Sequence, residues 1–125
     1  MNLLLDTHIL IWSQGAPKFL SSEVLGLLNN PGHSVLFSHA SIWELELKRA
    51  KGNLKMPNDW LARLEKNGFV QVPITLPDIQ TSTRLPFFHR DPFDRLLIAQ
   101  AQRLKADLVT RDHLLGQYGI RVIEA

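Results

Sequence analysis

The sequence of 125 residues contains no cysteine, which excludes disulfide bonds and thiolate metal sites and is compatible with a reducing compartment. It has no apolar run near the roughly 20 residues of a membrane span, since the run that opens the chain stops at Asp6. Neither charge dominates, because 14 Lys and Arg oppose 12 Asp and Glu. This balance permits a polyanionic partner without requiring one. We therefore expect a soluble, cytoplasmic protein with no membrane partner.

Several motifs of common enzyme classes are also missing. There is no G-x-G-x-x-G, Walker loop or G-x-S-x-G, so dinucleotide, nucleoside triphosphate and serine hydrolase functions lack their motifs. The five histidines never occur as His-x-His or His-x-x-x-His. Helix caps or surface hydrogen bonds explain them more simply than metal ligation, although His8 and His89 could border a crevice.

Short apolar segments alternate with helical patterns along the chain, which predicts an α/β fold. Strands are expected over residues 2–5, 35–37, 69–72, 108–110 and 121–123. Helices are expected over about 7–14, 21–29, 40–50, 57–67, 76–84 and 93–104, with a single helical turn over 112–116. The alternation implies a three-layer α/β/α sandwich around a mainly parallel sheet, with right-handed crossovers. The length suits one domain over 1–125.

Three acids fall close to predicted strand ends. Asp6 ends the first strand, Asp94 opens the helix before the fourth strand, and Asp112 follows that strand by two residues. Ligands of open α/β sheets bind outside the carboxyl ends of the strands. If the first and fourth strands are neighbours, Asp6 and Asp112 could meet in one crevice. The alternative is that each acid is only an N-cap or first-turn residue, a position that the helix dipole favours.

Glu44 differs from these acids because it lies inside a predicted helix, where capping cannot explain it. The alternative to a site role is an i,i+4 ion pair with Lys48, worth about 0.2–0.5 kcal/mol. Glu46 should point to another part of the helix surface, so at most one of the two glutamates faces the site.

A cluster of carboxylates is electrostatically unfavourable by itself. Two of them about 5 Å apart repel by roughly 3 kcal/mol at an effective dielectric constant near 20. Such a cluster either takes up a proton or holds a hard cation. Oxygen ligands without cysteine suit Mg²⁺ or Mn²⁺, and such an ion can activate water against a phosphodiester. The acids therefore suggest metal-assisted phosphodiester hydrolysis.

Four segments in this order resemble the motifs of PIN-domain ribonucleases, specifically the VapC-type toxins of toxin–antitoxin pairs. They are Leu4-Leu5-Asp6-Thr7-His8, Ser38-His39-Ala40-Ser41-Ile42-Trp43-Glu44, the block from His89 to Ala101 that reads HRDPFDRLLIAQA, and Leu108-Val109-Thr110-Arg111-Asp112. The resemblance runs the whole length of the chain. It implies a PIN-like fold and one PIN domain over residues 1–125.

The resemblance also implies the site residues. The catalytic acids that hold Mg²⁺ or Mn²⁺ would be Asp6, Glu44, Asp94 and Asp112, of which Asp112 matches the least uniform family position. Thr7 and Thr110 match polar positions that support the acids, as hydrogen bonds to ligating carboxylates do. Asp91 belongs to the same block, where we favour a structural role before Pro92 over metal contact. Arg90, Arg95 and Arg111 flank the acids and are candidates for RNA phosphate contacts, the alternative being solvated surface arginines.

The partners implied by the resemblance are an RNA substrate, often tRNA or ribosomal RNA, a small antitoxin and a second copy in a homodimer. Water would attack phosphorus in line and leave a 5′-phosphate and a 3′-hydroxyl. Trp12, Trp43 and Trp60 are expected in the core rather than as base-stacking platforms, although some could line a groove for the antitoxin.

Three other functions are alternatives to this one. A haloacid-dehalogenase type of phosphohydrolase needs Asp-x-Asp after the first strand, where this chain has His8. A phosphoacceptor signalling domain needs adjacent acids there and a Lys near the last strand, and neither is present. The remaining alternative is a catalytically inactive PIN-like module that binds RNA or protein, against which the intact acids argue.

Overall fold

Short strands and helices alternate along the chain in the predicted order. The computed structural model describes residues 1–125. The strands are β1 (Asn2–Leu5), β2 (Ser34–Ser38), β3 (Val70–Val72), β4 (Asp107–Thr110) and β5 (Val122–Glu124). The helices are α1 (Thr7–Gly15), α2 (Ser22–Asn29), α3 (His39–Ala50), α4 (Trp60–Lys66), α5 (Leu76–Arg84) and α6 (Pro92–Leu104), with 3₁₀ segments at Pro17–Phe19 and His113–Tyr118. None of the helices is both long enough and apolar enough to cross a membrane.

The five strands form one sheet in the order β3-β2-β1-β4-β5, and every neighbouring pair is parallel. Leu4 of β1 is opposite Leu36 on one side and Leu108 on the other. The predicted α/β fold with a parallel sheet is therefore confirmed. β1 lies at the centre, where the strand order changes direction, and such a switch point is where ligands of open parallel sheets bind.

Each face of the sheet is covered by helices. Successive side chains of a strand point to opposite faces, so a strand with an unbroken apolar run contributes to the core on both sides. Leu3 and Leu5 join one apolar cluster with residues of α1, α2, α3 and α4, whereas Leu4 joins a second cluster in which α6 is prominent. All three leucines are fully buried. Burying such a side chain contributes about 1.5–3 kcal/mol. The two clusters are the interfaces of a three-layer sandwich.

The predicted element boundaries differ from the structure mainly around prolines. α4 begins at Trp60 and not at Pro57, whose carbonyl instead accepts the Trp60 amide across a turn. α6 begins one residue early, because Asp91 is its N-cap and Pro92 takes the first helical position, where its missing N–H costs nothing. The 3₁₀ turn at Pro17–Phe19 was not predicted.

Helices α5 and α6 are joined by a buried acid. Asp78 is 1% exposed and forms a capping box with Thr75. Its carboxylate also accepts hydrogen bonds from Arg103 at 2.7 and 3.0 Å and from Gln100 at 3.3 Å. Burial by itself would raise the pKa of Asp78, but the bonds from Arg103, Thr75 and Gln100 outweigh it and hold the pKa below its ordinary value.

Candidate active site

Asp6 lies at the carboxyl edge of the sheet between β1 and β4. Its amide donates to the Val109 carbonyl at 3.0 Å, which continues the pairing of the two strands. One carboxylate oxygen accepts the Thr110 hydroxyl at 2.6 Å, and the other accepts the His8 amide at 3.4 Å as the N-cap of α1. The capping interpretation and the site interpretation are compatible, because the two oxygens have different partners.

Thr110 connects Asp6 to Asp112. The Thr110 side chain is fully buried, and its hydroxyl oxygen accepts the Asp112 amide at 3.1 Å while the hydroxyl donates to Asp6. The Asp112 carboxylate accepts the Leu114 amide at 3.1 Å as the N-cap of the 3₁₀ segment, and its side chain is 38% exposed. One hydroxyl thus holds the two acids at neighbouring strand ends.

His89 lies between Asp94 and Asp112. Its Nε2 atom is 2.5 Å from a carboxylate oxygen of Asp94 and 3.9 Å from one of Asp112. Asp94 is in the first turn of α6, where the helix dipole favours an acid. The imidazole therefore brings the first turn of α6 and the segment after β4 together at the same edge of the sheet.

The pKa of Asp94 is shifted by its burial and by the acids near it. Burial raises the pKa of Asp94 most, and the negative charges of Asp6 and Asp91 raise it further, whereas the hydrogen bond to His89 lowers it. The net result is a pKa of about 6, against an ordinary value of 3.8. The negative charge of Asp6 therefore disfavours the ionised form of Asp94, as one carboxylate does to another in a partly buried crevice.

Glu44 reaches the same region from α3. One of its oxygens accepts the Thr7 hydroxyl at 2.8 Å, and the Thr7 hydroxyl also lies 3.0 Å from that of Ser41. The other oxygen is 3.2 Å from the Lys48 ammonium group. The i,i+4 pair considered as an alternative thus exists beside the contact with Thr7. Glu46 points elsewhere, accepting a hydrogen bond from the Trp60 indole.

The donor chemistry of these acids fits a hard cation, although a complete ligand shell is not formed. No three Asp, Glu or His side chains converge closely enough to ligate one ion as they are placed here. Thr110 links Asp6 to Asp112, and His89 links Asp94 to Asp112. Thr7 holds Glu44 without joining it to another acid. Four carboxylates without sulfur are the donors that Mg²⁺ and Mn²⁺ prefer. Burial first, and then the charges of Asp6 and Asp91, raise the pKa of Asp94, and a bound cation would oppose both effects.

The expectation that Arg95 contacts RNA phosphate is wrong. Arg95 is 5% exposed, and its guanidinium group donates to backbone carbonyls of the segment before α6. The four acceptors are Ser82, Leu85, Pro86 and His89, at 2.7 to 3.0 Å. A planar fork with five donors matches several carbonyls at once, which explains why an arginine is buried here.

The other two arginines considered for phosphate contacts are exposed. Arg111 packs over the Trp12 ring at 4.5 Å from its centroid and donates to the Phe19 carbonyl. Arg90 borders the groove that also contains Glu44. Both guanidinium groups are therefore placed where solvent, or a ligand, can reach them.

Asp91 has the structural role that the sequence favours. Its carboxylate accepts the amides of Phe93 at 2.8 Å and Asp94 at 3.4 Å, and so caps α6 directly before the site.

The expectation that all three tryptophans are core residues is wrong for Trp43. Trp60 is buried and Trp12 packs against the same apolar cluster, but Trp43 is 55% exposed and makes an edge-to-face contact with the Phe93 ring. Its position on α3 is two residues from Leu45, which is buried, so Trp43 falls on the solvent-facing side of the helix.

Sequence reasoning did not assign two residues that the structure places in the site. The sequence predicts His89 only at the border of a crevice, although it opens the longest motif and lies five positions before Asp94, to which it is hydrogen-bonded. Ser41 is fully buried beside Thr7, three positions before Glu44 on one face of α3. The spacing of Ser41 to Glu44 was the signal available in the sequence.

A family model described as PIN domain matches residues 3–120. The chain is similar to VapBC2 from Rickettsia felis bound to a promoter DNA fragment, with 16% identity, a TM-score of 0.73 and coverage of 99% of this chain and 98% of that one. It is similar to VapBC-1 from nontypeable Haemophilus influenzae, with 18% identity, a TM-score of 0.70 and the same coverage.

A toxin–antitoxin complex from Klebsiella pneumoniae is a further similar structure, with 21% identity, a TM-score of 0.57 and coverage of 88% of this chain and 86% of that one. No curated protein sequence matches the chain. At these identities the solved structures establish a shared fold.

Proposed function

Because this chain belongs to the PIN-domain family, we propose that it is a metal-dependent endoribonuclease and the VapC-type toxin of a toxin–antitoxin pair. The observation that carries the proposal is the pairwise linkage of Asp6 to Asp112 by Thr110, and of Asp94 to Asp112 by His89, at the carboxyl edge of β1 and β4. The similar structures include a toxin–antitoxin complex, which supports the toxin assignment.

In this proposal Asp6, Glu44, Asp94 and Asp112 hold Mg²⁺ or Mn²⁺. Such an ion, when bound, lowers the pKa of water and neutralises charge on the phosphodiester. The residues around the acids fix their orientation: the Thr110 hydroxyl donates to Asp6, and the Thr7 hydroxyl donates to Glu44. Hydrogen bonds of this kind to ligating carboxylates are worth about 10–100-fold in metal affinity or activity.

The reaction proposed is hydrolysis of an RNA phosphodiester. Water attacks phosphorus in line, the bond to the 3′-oxygen breaks, and the products carry a 5′-phosphate and a 3′-hydroxyl. Arg90 and Arg111 are exposed beside the acids and are the cations available to position the strand through its phosphates. A loop of tRNA or ribosomal RNA suits this chemistry, because specific proteins usually recognise RNA where bases are unpaired.

The proposal includes partners and a compartment. A small antitoxin would block the acidic crevice, two copies of the chain would form a homodimer, and the protein would act in the cytoplasm. The fold shared with VapBC complexes supports the antitoxin.

The test is cleavage of 5′-labelled structured RNA by purified protein in Mg²⁺, Mn²⁺ or EDTA. Asp6→Asn is compared with Asp59→Asn, whose carboxylate is 60% exposed and pairs with Arg63. Circular dichroism establishes that each variant is folded. We expect cutting that needs the metal, is lost in Asp6→Asn and is retained in Asp59→Asn. Equal cutting by all proteins, or none by a folded wild type, would contradict the proposal, and RNA binding without cutting would favour an inactive binding module.

A further inference from the structure

Phe87 presents an aromatic ring to solvent two residues before His89, in the segment that leads into α6. It is 76% exposed, and the guanidinium carbon of Arg95 lies 4.4 Å from the ring centroid, over one face. A cation in this position attracts the ring and holds it in place. The ring is thus fixed from one side and open on the other.

The backbone around Phe87 is fixed as well. Arg95 donates to the carbonyls of Leu85, Pro86 and His89. The Tyr118 hydroxyl donates to Pro86 at 2.7 Å and accepts the His89 amide at 2.8 Å. The segments on both sides of Phe87 are therefore tied to α6 and to the end of the 3₁₀ segment. Leaving a phenylalanine exposed forgoes about 1.5–3 kcal/mol of burial, so a fixed, exposed ring suggests a ligand that covers it.

Positively charged side chains border both the groove beside Phe87 and a second groove that contains Glu44. Arg90 borders a groove with Phe87 and Pro92, and it also borders a second groove with Glu44 and Lys51. Arg90 and Lys51 are exposed and form no ion pair in the structure. The second groove also contains Glu44, which Thr7 and Lys48 already engage, and Asp91, whose carboxylate caps α6. Arg90 and Lys51 are therefore the cations available to a polyanion that follows the two grooves from Phe87.

We propose that Phe87 stacks an unpaired base of the RNA substrate while Arg90 and Lys51 contact its phosphates, so that the strand is single beside the bond that is cut. This inference rests on the proposed ribonuclease function and specifies its substrate. Aromatic rings beside a basic groove are the usual means of binding single strands, because every base has a face that can stack. A base inside an A-form duplex is stacked on its neighbours and cannot offer that face.

The first experiment measures binding and not cleavage. A fluorescein-labelled RNA of 12 adenosines and uridines, without self-complementarity, is titrated with protein carrying Asp94→Asn and followed by fluorescence anisotropy. Phe87→Leu in that background keeps an apolar side chain but removes the aromatic face. Phe88→Leu is the matched control, since Phe88 is 60% exposed in the same segment but packs edge-on against Tyr118.

We expect Phe87→Leu to weaken binding of the single strand by about 5- to 150-fold, the range of one base–aromatic stack. Phe88→Leu should change it less than about twofold, and an RNA duplex of the same sequence should bind equally to both variants. Unchanged single-strand affinity in Phe87→Leu would overturn the inference. Light scattering supplies a second criterion: loss of a dimer in Phe87→Leu would show that the ring contacts another copy of the chain.

The phosphate contacts are tested separately by salt dependence. Arg90→Ala and Lys51→Ala should each reduce the slope of log K against log salt concentration by about 0.7, the value for one phosphate of a single strand. Lys66→Ala, at the end of α4, should leave the slope unchanged. If wild type cuts RNA while Phe87→Leu, Arg90→Ala and Lys51→Ala all bind the single strand as tightly as the unsubstituted protein does, the inference fails and the ribonuclease stands. If no metal-dependent cutting occurs but Phe87 controls binding, the ribonuclease fails and the binding surface stands.

Discussion

Asp78 and the acids at the sheet edge have opposite electrostatic environments. Asp78 is buried between α5 and α6, and a guanidinium group, an amide side chain and a capping box satisfy it, so its pKa is lowered. Asp94 is surrounded by other acids at the edge of the sheet, with only His89 as a close partner, so burial and the charge of Asp6 raise its pKa to about 6.

The two environments predict opposite contributions to stability: Asp78 stabilises the folded state, whereas the acids at the sheet edge destabilise it by repelling one another. Breaking a buried pair leaves an unpaired charge and costs stability. Removing one member of a repelling cluster relieves that repulsion, and its effect falls on function instead. Perturbed carboxylates in a cleft are candidates for function for this reason. The contrast between Asp78 and Asp94 can be tested by changing one group at a time.

The largest expected effect is on activity in Asp94→Asn. We expect RNA cleavage to fall by about 1,000-fold, which corresponds to about 4 kcal/mol of transition-state stabilisation. Stability toward urea should stay equal or rise, since a negative charge repelled by Asp6 is removed. Single-turnover cleavage and urea unfolding are the measurements. Loss of stability with retained cleavage would place Asp94 in the same class as Asp78.

The second effect is on stability in Asp78→Ala. Arg103 and Gln100 lose their shared acceptor, and we expect the free energy of unfolding to fall by about 2–4 kcal/mol. Asp59→Ala is the matched control, because its exposed pair with Arg63 should contribute less than about 1 kcal/mol. Urea unfolding monitored by tryptophan fluorescence measures both. A change in Asp78→Ala as small as that in the control would contradict this account.

A smaller effect concerns pH. A carboxyl group whose pKa is lower in the folded state stabilises the fold above its unfolded pKa, about 3.9, and this stabilisation is lost as the pH falls through the folded value. The stability difference between wild type and Asp78→Asn should therefore be constant near neutrality and shrink below about pH 4. Urea unfolding between pH 2.5 and 7 tests this, and a difference that grows on acidification would refute it.

The smallest effect is expected for Lys48→Ala. The pair with Glu44 is an i,i+4 pair on a helix surface, so its loss should cost about 0.2–0.5 kcal/mol and leave cleavage within a few-fold of wild type. Glu44→Gln should lower cleavage far more than Lys48→Ala does, although not beyond the loss expected for Asp94→Asn. Equal behaviour of the two variants would mean that Glu44 serves only the ion pair.

Local patterns in the sequence were sufficient for the sheet and for the neighbourhood of Asp6 and Asp112. Apolar runs such as Leu3 to Leu5 identify buried parallel strands, and acids at the ends of such strands must share one edge once β1 and β4 are neighbours. Proline and capping residues gave α5 its observed bounds.

The polar partners that come from distant segments could not be predicted in this way. Arginine is usually a surface residue, so the sequence gives no reason to expect Arg95 to be buried. Its burial depends on carbonyls of residues 82–89 that only the folded loop presents. Trp43 follows an apolar helical pattern, yet the side of α3 on which it lies meets no core. Periodicity identifies a helix and its apolar positions, but the partners of each face depend on tertiary packing.

The proposed function requires that the acids at the sheet edge, and not Asp78, bind a divalent cation. Calorimetric titration of Mn²⁺ into wild type, Asp6→Asn and Asp78→Asn, each first shown to be folded by circular dichroism, tests this requirement. We predict saturable binding to wild type and to Asp78→Asn, and affinity at least about tenfold weaker in Asp6→Asn. Absence of binding to wild type, or equal affinity in all three proteins, would contradict the claim.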